Sequence, residues 1–186
     1  MPRHARKKSK SGVYHVMIRG INRQNIFEDE EDKQRLVKTI ERYKNEQTCE
    51  VFGYCLMDNH IHLLIKETGE SISAIIKKIS GSYVYWYNNK YDRYGHLFQE
   101  RYKSEVVEGD GYLLTVLRYI HQNPLKAGLV KDLSDYKWSS YNEYIYHPKI
   151  VSIDYILEMF STNKKHSIEL FKKYMNERNE DQCLEF

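Results

Sequence analysis

Cysteine is scarce in this chain, and long apolar runs are missing. There are three cysteines in 186 residues, Cys49, Cys55 and Cys183. An odd number without a Cys-x-x-Cys pair argues against a disulfide framework and against a cysteine zinc site. On a strand over 49–56, Cys49 and Cys55 would lie about 20 Å apart, too far for a bridge. Reduced thiols in a reducing compartment are expected. No stretch of about 18 apolar residues occurs, so no membrane-spanning helix is expected. The N-terminus lacks the apolar segment of a secretory signal, and the expected location is the cytoplasm. No internal repeat or low-complexity stretch is present.

Acid is absent from residues 1–10, which hold Arg3, Arg6, Lys7, Lys8 and Lys10. Removing those five from the 29 basic residues leaves 24 against 26 acidic ones, so the net charge of +3 sits in an N-terminal arm. Such an arm contacts nucleic-acid phosphates or serves as a solvated tail, and charge alone leaves both open. The chain as a whole is 41% hydrophobic and 30% charged, as in a soluble globular domain long enough to bury a core. Tyrosine is abundant, at 17 residues, so aromatic surface and candidate nucleophiles are plentiful.

In chain order, Gly12–Arg19 reads as a strand, with Val13, His15, Met17 and Arg19 on one face. His15 either packs or reaches a site from a neighbouring strand. A loop over 20–25 leads to a helix over 30–45, opened by acidic residues that suit its dipole. Leu36, Val37, Ile40 and Tyr43 form its apolar stripe. Residues 49–56 and 60–66 read as a hairpin through Met57-Asp58-Asn59. A long helix follows over 71–91, with Ser71 as N-cap and Ile72, Ile75, Ile76, Ile79 and Tyr83 facing a core. A strand is expected over 103–108. A helix over 112–122 should then end at Pro124. Two amphipathic helices are expected beyond residue 150, and 177–186 reads as frayed.

The hairpin carries the most informative stretch, Met57-Asp58-Asn59-His60-Ile61-His62-Leu63-Leu64-Ile65. Strand alternation puts His60 and His62 on one face and Ile61, Leu63 and Ile65 on the other. Two imidazoles on one face can converge on a metal ion, or be a hydrogen-bonded pair. Further along, Tyr119 and Asn123 are four residues apart on a helix and so share a face.

The stretch MDNHIHLLI resembles the His-hydrophobic-His motif of HUH nucleases in single-tyrosine transposases. RGINRQNIF (19–27), GHLFQERYKS (95–104), RYIHQNPLKAGLV (118–130) and DYKWSSYNEY (135–144) occur in the order found in the REP-associated tyrosine transposase branch. The resemblance implies an α+β, ferredoxin-like antiparallel sheet with helices on one face. The expected division is a basic arm over 1–11, a transposase domain over 12–148 and a helical C-terminal extension over 149–186. It implies that Tyr119 is the nucleophile and that His60, His62 and Asn123 bind a divalent ion, Mg²⁺ or Mn²⁺. It also implies DNA contacts by Arg23, Gln24, Arg101 and Lys103, added to Arg3, Arg6, Lys7 and Lys8 of the arm. Where the family usually has Pro before Asn-His, this chain has Asp58, which bears on the turn rather than on a ligand.

The activity so implied is metal-dependent nicking and rejoining of single-stranded DNA beside hairpins, through a 5′-phosphotyrosine. Two other readings compete. One is a domesticated protein that binds DNA or RNA hairpins without cutting. The other is an unrelated metallohydrolase, whose products would carry no attached protein. Monomer and homodimer both remain open.

Overall fold

The computed structural model describes residues 7–184. Arg3 and Arg6 of the arm lie outside the described residues. The main elements run β1 Val13–Arg19, α1 Glu30–Asn45, β2 Cys49–Met57, β3 His60–Glu67, α2 Ile72–Lys90, β4 Lys103–Val106 and α3 Asp110–Lys126. Three shorter helices follow, α4 Tyr141–Ile145, α5 Asp154–Glu158 and α6 Lys164–Asn176. The strands form one antiparallel sheet in the order β2-β3-β1-β4, the ferredoxin-like arrangement of two interleaved β-α-β units. β1 and β3 occupy the centre, where both faces can be covered.

Local chemistry accounts for the elements. Asp29 caps α1 by accepting from the Asp32 amide at 3.1 Å, and Asp32 reciprocates toward the Asp29 amide. Such a capping box satisfies orphan donors at the helix start. Ser71 caps α2. The β2–β3 turn holds Asp58, whose carboxylate pairs with Lys33 of α1 at 2.8 Å. An ion pair thus ties this turn to α1.

The sheet is buried on both sides. Val16, Ile18, Ile61 and Leu63 point one way, with Ile18 near Ile76 of α2 and α1 packed on α2. On the other face stand His15, Met17, His60, His62 and Leu64, and here α3 lies. The close approach of α3 needs a glycine: a Cβ on Gly53 would stand 2.5 Å from the Leu117 Cδ1. Residues 138–140 run along the outer edge of β2, with the Leu56 amide donating to Trp138 and the Ser140 amide to Tyr54, both at 2.9 Å. That cover blunts an edge otherwise open to strand pairing.

Two expectations change. α3 does not stop before Pro124 but continues to Lys126. The ring deprives the Ile120 carbonyl of one amide partner, but Pro124 is itself buried, and packing on the sheet carries the helix through. Termination falls to Gly128, at φ +71°, where amides of Gly128 and Leu129 donate to Leu125 and Pro124 at 3.0 Å. This is a Schellman ending, in which glycine takes the left-handed conformation at little cost. Second, residues 177–184 are not frayed. The buried Gln122 side chain donates to carbonyls of Met175 and Glu177 at 2.7 and 3.0 Å, and Arg118 pairs with Asp181 at 2.8 Å. Buried polar groups on α3 need partners, and this polar segment supplies them without any apolar periodicity that would reveal it.

Candidate active site

The site forms where the central strands meet α3. Register places Met17 opposite His62 and Arg19 opposite His60, so β1 and β3 present their polar side chains on one face. Their ring centroids set His60 and His62 5.0 Å apart, nearly perpendicular. Tyr119 descends from α3 with its ring 5.7 Å from that of His62. An open cleft of about 370 Å³ is lined by His60, His62, Tyr119 and Asn123. The four residues expected to act together therefore share one cavity.

The hydrogen bonds define what these groups can offer. His60 Nδ1 lies 2.7 Å from Asn59 Oδ1, while the Asn59 amide nitrogen donates to the Arg23 carbonyl at 3.3 Å. The Asn59 oxygen therefore accepts, and His60 carries the proton of that bond on Nδ1. His62 Nδ1 lies 2.9 Å from His15 Nε2, and His15 Nδ1 lies 2.7 Å from Glu105 Oε1. Burial, with the neighbouring His15 and His60, pushes the His62 imidazolium well below its ordinary range. His62 is thus neutral, the form that can ligate a metal. Asn123 donates its amide nitrogen to the Tyr119 carbonyl at 3.0 Å, one turn back, which fixes which end of the amide is the oxygen.

Two imidazole nitrogens and an amide oxygen are a chemically reasonable donor set for a divalent ion that keeps positions for other ligands. Among the described residues no group of three His, Cys, Asp or Glu side chains is arranged to hold a metal. Any ion in this cleft would depend on the amide as well as the histidines.

The cationic candidates divide. Arg23 lines the cleft, at the end of a tight turn where both Asn22 and Arg23 have positive φ. Gln24 does not line it, and its buried Nε2 has no hydrogen-bond partner among the described residues. Lys103 and Arg101 line a separate groove beside β4. Lys103 pairs in register with Met17, which lines the histidine cleft, so the groove lies one strand away. Lys7 and Lys8 are exposed.

Sequence reasoning passes over Arg19 as a site residue, although it lines the cleft and bonds to Gln99. It weighs His15 chiefly as a packed residue. His15 is fully buried, and it also bonds directly to His62 of the pair. Strand alternation places it on the correct face; only the β1–β3 register reveals the contact.

Fold and cleft together define a class: a ferredoxin-like sheet whose central strand carries a His-x-His pair beneath a helical tyrosine. The family described as Transposase IS200 like matches residues 8–123. The chain belongs to this IS200-like transposase family. It is 24% identical over 160 residues to a Haemophilus influenzae protein described as a REP-associated tyrosine transposase, covering 76% of this chain and 86% of that one. Its fold is also similar to the solved structure of a REP-associated tyrosine transposase bound to a REP hairpin. That likeness has a TM-score of 0.65 at 19% identity and covers 83% of this chain and 90% of the other.

Proposed function

We propose that this transposase nicks and rejoins single-stranded DNA beside hairpins, using Tyr119 to form a 5′-phosphotyrosine. The observation that carries the reading is the convergence of His60, His62, Tyr119 and Asn123 on one cleft with Arg19 and Arg23. A hydrolase would need no tyrosine at that position, and a hairpin-binding protein would need none of the four.

The residues divide the work. Arg19 and Arg23 draw the backbone phosphate into the cleft. The Tyr119 oxygen forms a bond to phosphorus, the bond from phosphorus to the 3′ oxygen breaks, and the phenol proton departs as the leaving oxygen takes one up. The phosphoester is conserved in the protein–DNA link, so a second 3′-hydroxyl can reverse the step on another strand. His60, His62 and Asn123 would hold a divalent ion, Mn²⁺ on ligand preference or Mg²⁺ on abundance, which supplies Lewis acidity at a non-bridging phosphate oxygen. α3 keeps Tyr119 and Asn123 one turn apart, so nucleophile and third ligand move as one body.

The substrate is read from the family and from the solved relative, whose ligand is a REP hairpin. Aromatic stacking on unpaired bases, worth ~1–3 kcal/mol per base, would favour single-stranded flanks. The test is a denaturing gel with end-labelled oligonucleotides. Hairpins with single-stranded flanks should yield a covalent protein–DNA band in the presence of Mn²⁺. Efficient cutting of a blunt duplex, or cutting without any attached protein, would sink the proposal.

A further inference from the structure

The sheet carries a hydrogen-bonded chain that the proposed chemistry has not used. It runs from Glu105 on β4 through His15 on β1 to His62 on β3, crossing three adjacent strands. His15 is fully buried and His62 is 1% exposed. Their rings are nearly parallel, at 23°, with centroids 5.2 Å apart. Glu105 is half-buried and is itself held from two further directions. Tyr112 donates to its Oε2 at 3.1 Å and the Leu184 amide to its Oε1 at 3.0 Å. Burial works against its charge, but the bonds from His15, the Leu184 amide and Tyr112 outweigh it and hold the carboxyl below the usual carboxylate range.

We infer that Glu105 and His15 are positioning residues that fix the tautomer and ring plane of His62, so that its Nε2 lone pair faces the cleft. The reason lies in the donors and acceptors. An ionised carboxylate only accepts, so the proton between Glu105 and His15 belongs to His15 Nδ1. A lone pair on His62 Nε2, which ligation needs, requires the His62 proton on Nδ1, the nitrogen that faces His15 Nε2. His15 Nε2 then accepts, and its Nδ1 donates to Glu105. This is the one arrangement of protons in which both bonds are made and the His62 Nε2 lone pair is kept, and burial of both rings holds them in it.

The inference rests on the proposed role of His62 as a metal ligand, and it adds what aims that ligand. An imidazole whose second nitrogen is held by an oriented acceptor is the usual support of a histidine ligand. Removing such support typically costs 10–100-fold in metal affinity. His60 has a shorter version of the same device in Asn59. The histidine pair is therefore held on one side by a turn residue and on the other by a chain that spans the sheet.

The test uses the full-length protein and two readouts. The first needs no metal: ¹⁵N-labelled histidine spectra of the metal-free protein report which nitrogen carries each proton. His62 and His15 should both be protonated on Nδ1 in the wild type. In Glu105→Gln, whose amide can donate as well as accept, the Nδ1-protonated share of His62 should fall. Finding the His62 proton on Nε2 in the wild type would overturn the inference. The second readout is Mn²⁺ binding by calorimetry. Affinity should fall about 10–100-fold in His15→Phe and by a smaller factor in Glu105→Gln, which sits at the half-buried end and should fold even if His15→Phe does not. Wild-type protein that binds no Mn²⁺ would remove the metal reading and this inference with it. Wild-type binding with undiminished affinity in both variants would remove the inference alone.

Discussion

Replacing Tyr119 with phenylalanine deletes one oxygen from a ring that stands against His15 and His62. The variant should form no covalent DNA adduct, while its stability changes by no more than the ~1 kcal/mol of a single hydrogen bond. Hairpin affinity should be retained, as a gel shift would show; an adduct of wild-type yield would move the nucleophile to another tyrosine. His60→Ala and His62→Ala should behave differently, losing Mn²⁺ affinity and cleavage together. Chelation of the wild-type protein should stop cleavage and leave hairpin binding in place, and cleavage that survives chelation would argue against the metal. At this scale the sequence is informative where a motif declares itself. His60, His62, Tyr119 and Asn123 are legible from spacing and resemblance, and the fold brings them to one cleft. Glu105 is not legible, because nothing in a Ser-Glu-Val run distinguishes a carboxylate that faces a buried histidine from one that faces water. Arg19 escapes for the same reason: its role depends on which strand lies beside it.

Elements are easier to read than their ends. The strands, α1 and α2 follow from alternation, apolar stripes, the acidic start of α1 and the Ser71 cap of α2. α3 runs past its expected end because Pro124 is a local signal, and burial of the helix on the sheet overrides it. Its true stop predicts a clean experiment. Gly128 is in the left-handed region with no atom near its absent Cβ, so Gly128→Ala costs backbone strain alone. A loss of roughly 1–2 kcal/mol is expected from urea denaturation, with cleavage preserved once the protein is folded. Gly20→Ala should act through steric overlap instead. Its Cβ would meet the Gln24 carbonyl oxygen at 2.3 Å and Ile26 Cγ2 at 2.8 Å, in the turn that carries Arg23 into the cleft. Forcing the turn open should cost ~1–3 kcal/mol and also weaken DNA binding, because Arg23 moves with it. Normal stability and normal DNA affinity in that variant would contradict the role given to this turn.

For the whole molecule, the sheet supplies the floor of the cleft and α3 brings Tyr119 over it. The segment after residue 150 braces α3 from behind: Phe171 and Met175 of α6 join the common core, and Arg118 and Gln122 bond to the residues beyond it. That bracing is invisible in the sequence, since the polar groups pair across more than fifty residues. The basic arm belongs to this scale as well. Ser9, Lys10 and Ser11 bond to Glu108 beyond β4, so Lys7 and Lys8 just before them lie on the β4 side, where Lys103 and Arg101 line their groove. Deleting residues 1–10 should flatten the salt dependence of single-strand binding, by about 0.7 in log–log slope for each phosphate that the arm neutralises; an unchanged slope would make the arm a solvated tail. The central claim, that Tyr119 itself becomes joined to DNA, has a direct measurement. Tryptic cleavage after Arg118 and Lys126 releases Tyr119-Ile-His-Gln-Asn-Pro-Leu-Lys126, a peptide with a single tyrosine. Mass spectrometry of the nuclease-trimmed adduct should find the nucleotide remnant on that peptide. A remnant on any other peptide, or cleaved DNA with no peptide attached, would contradict the account.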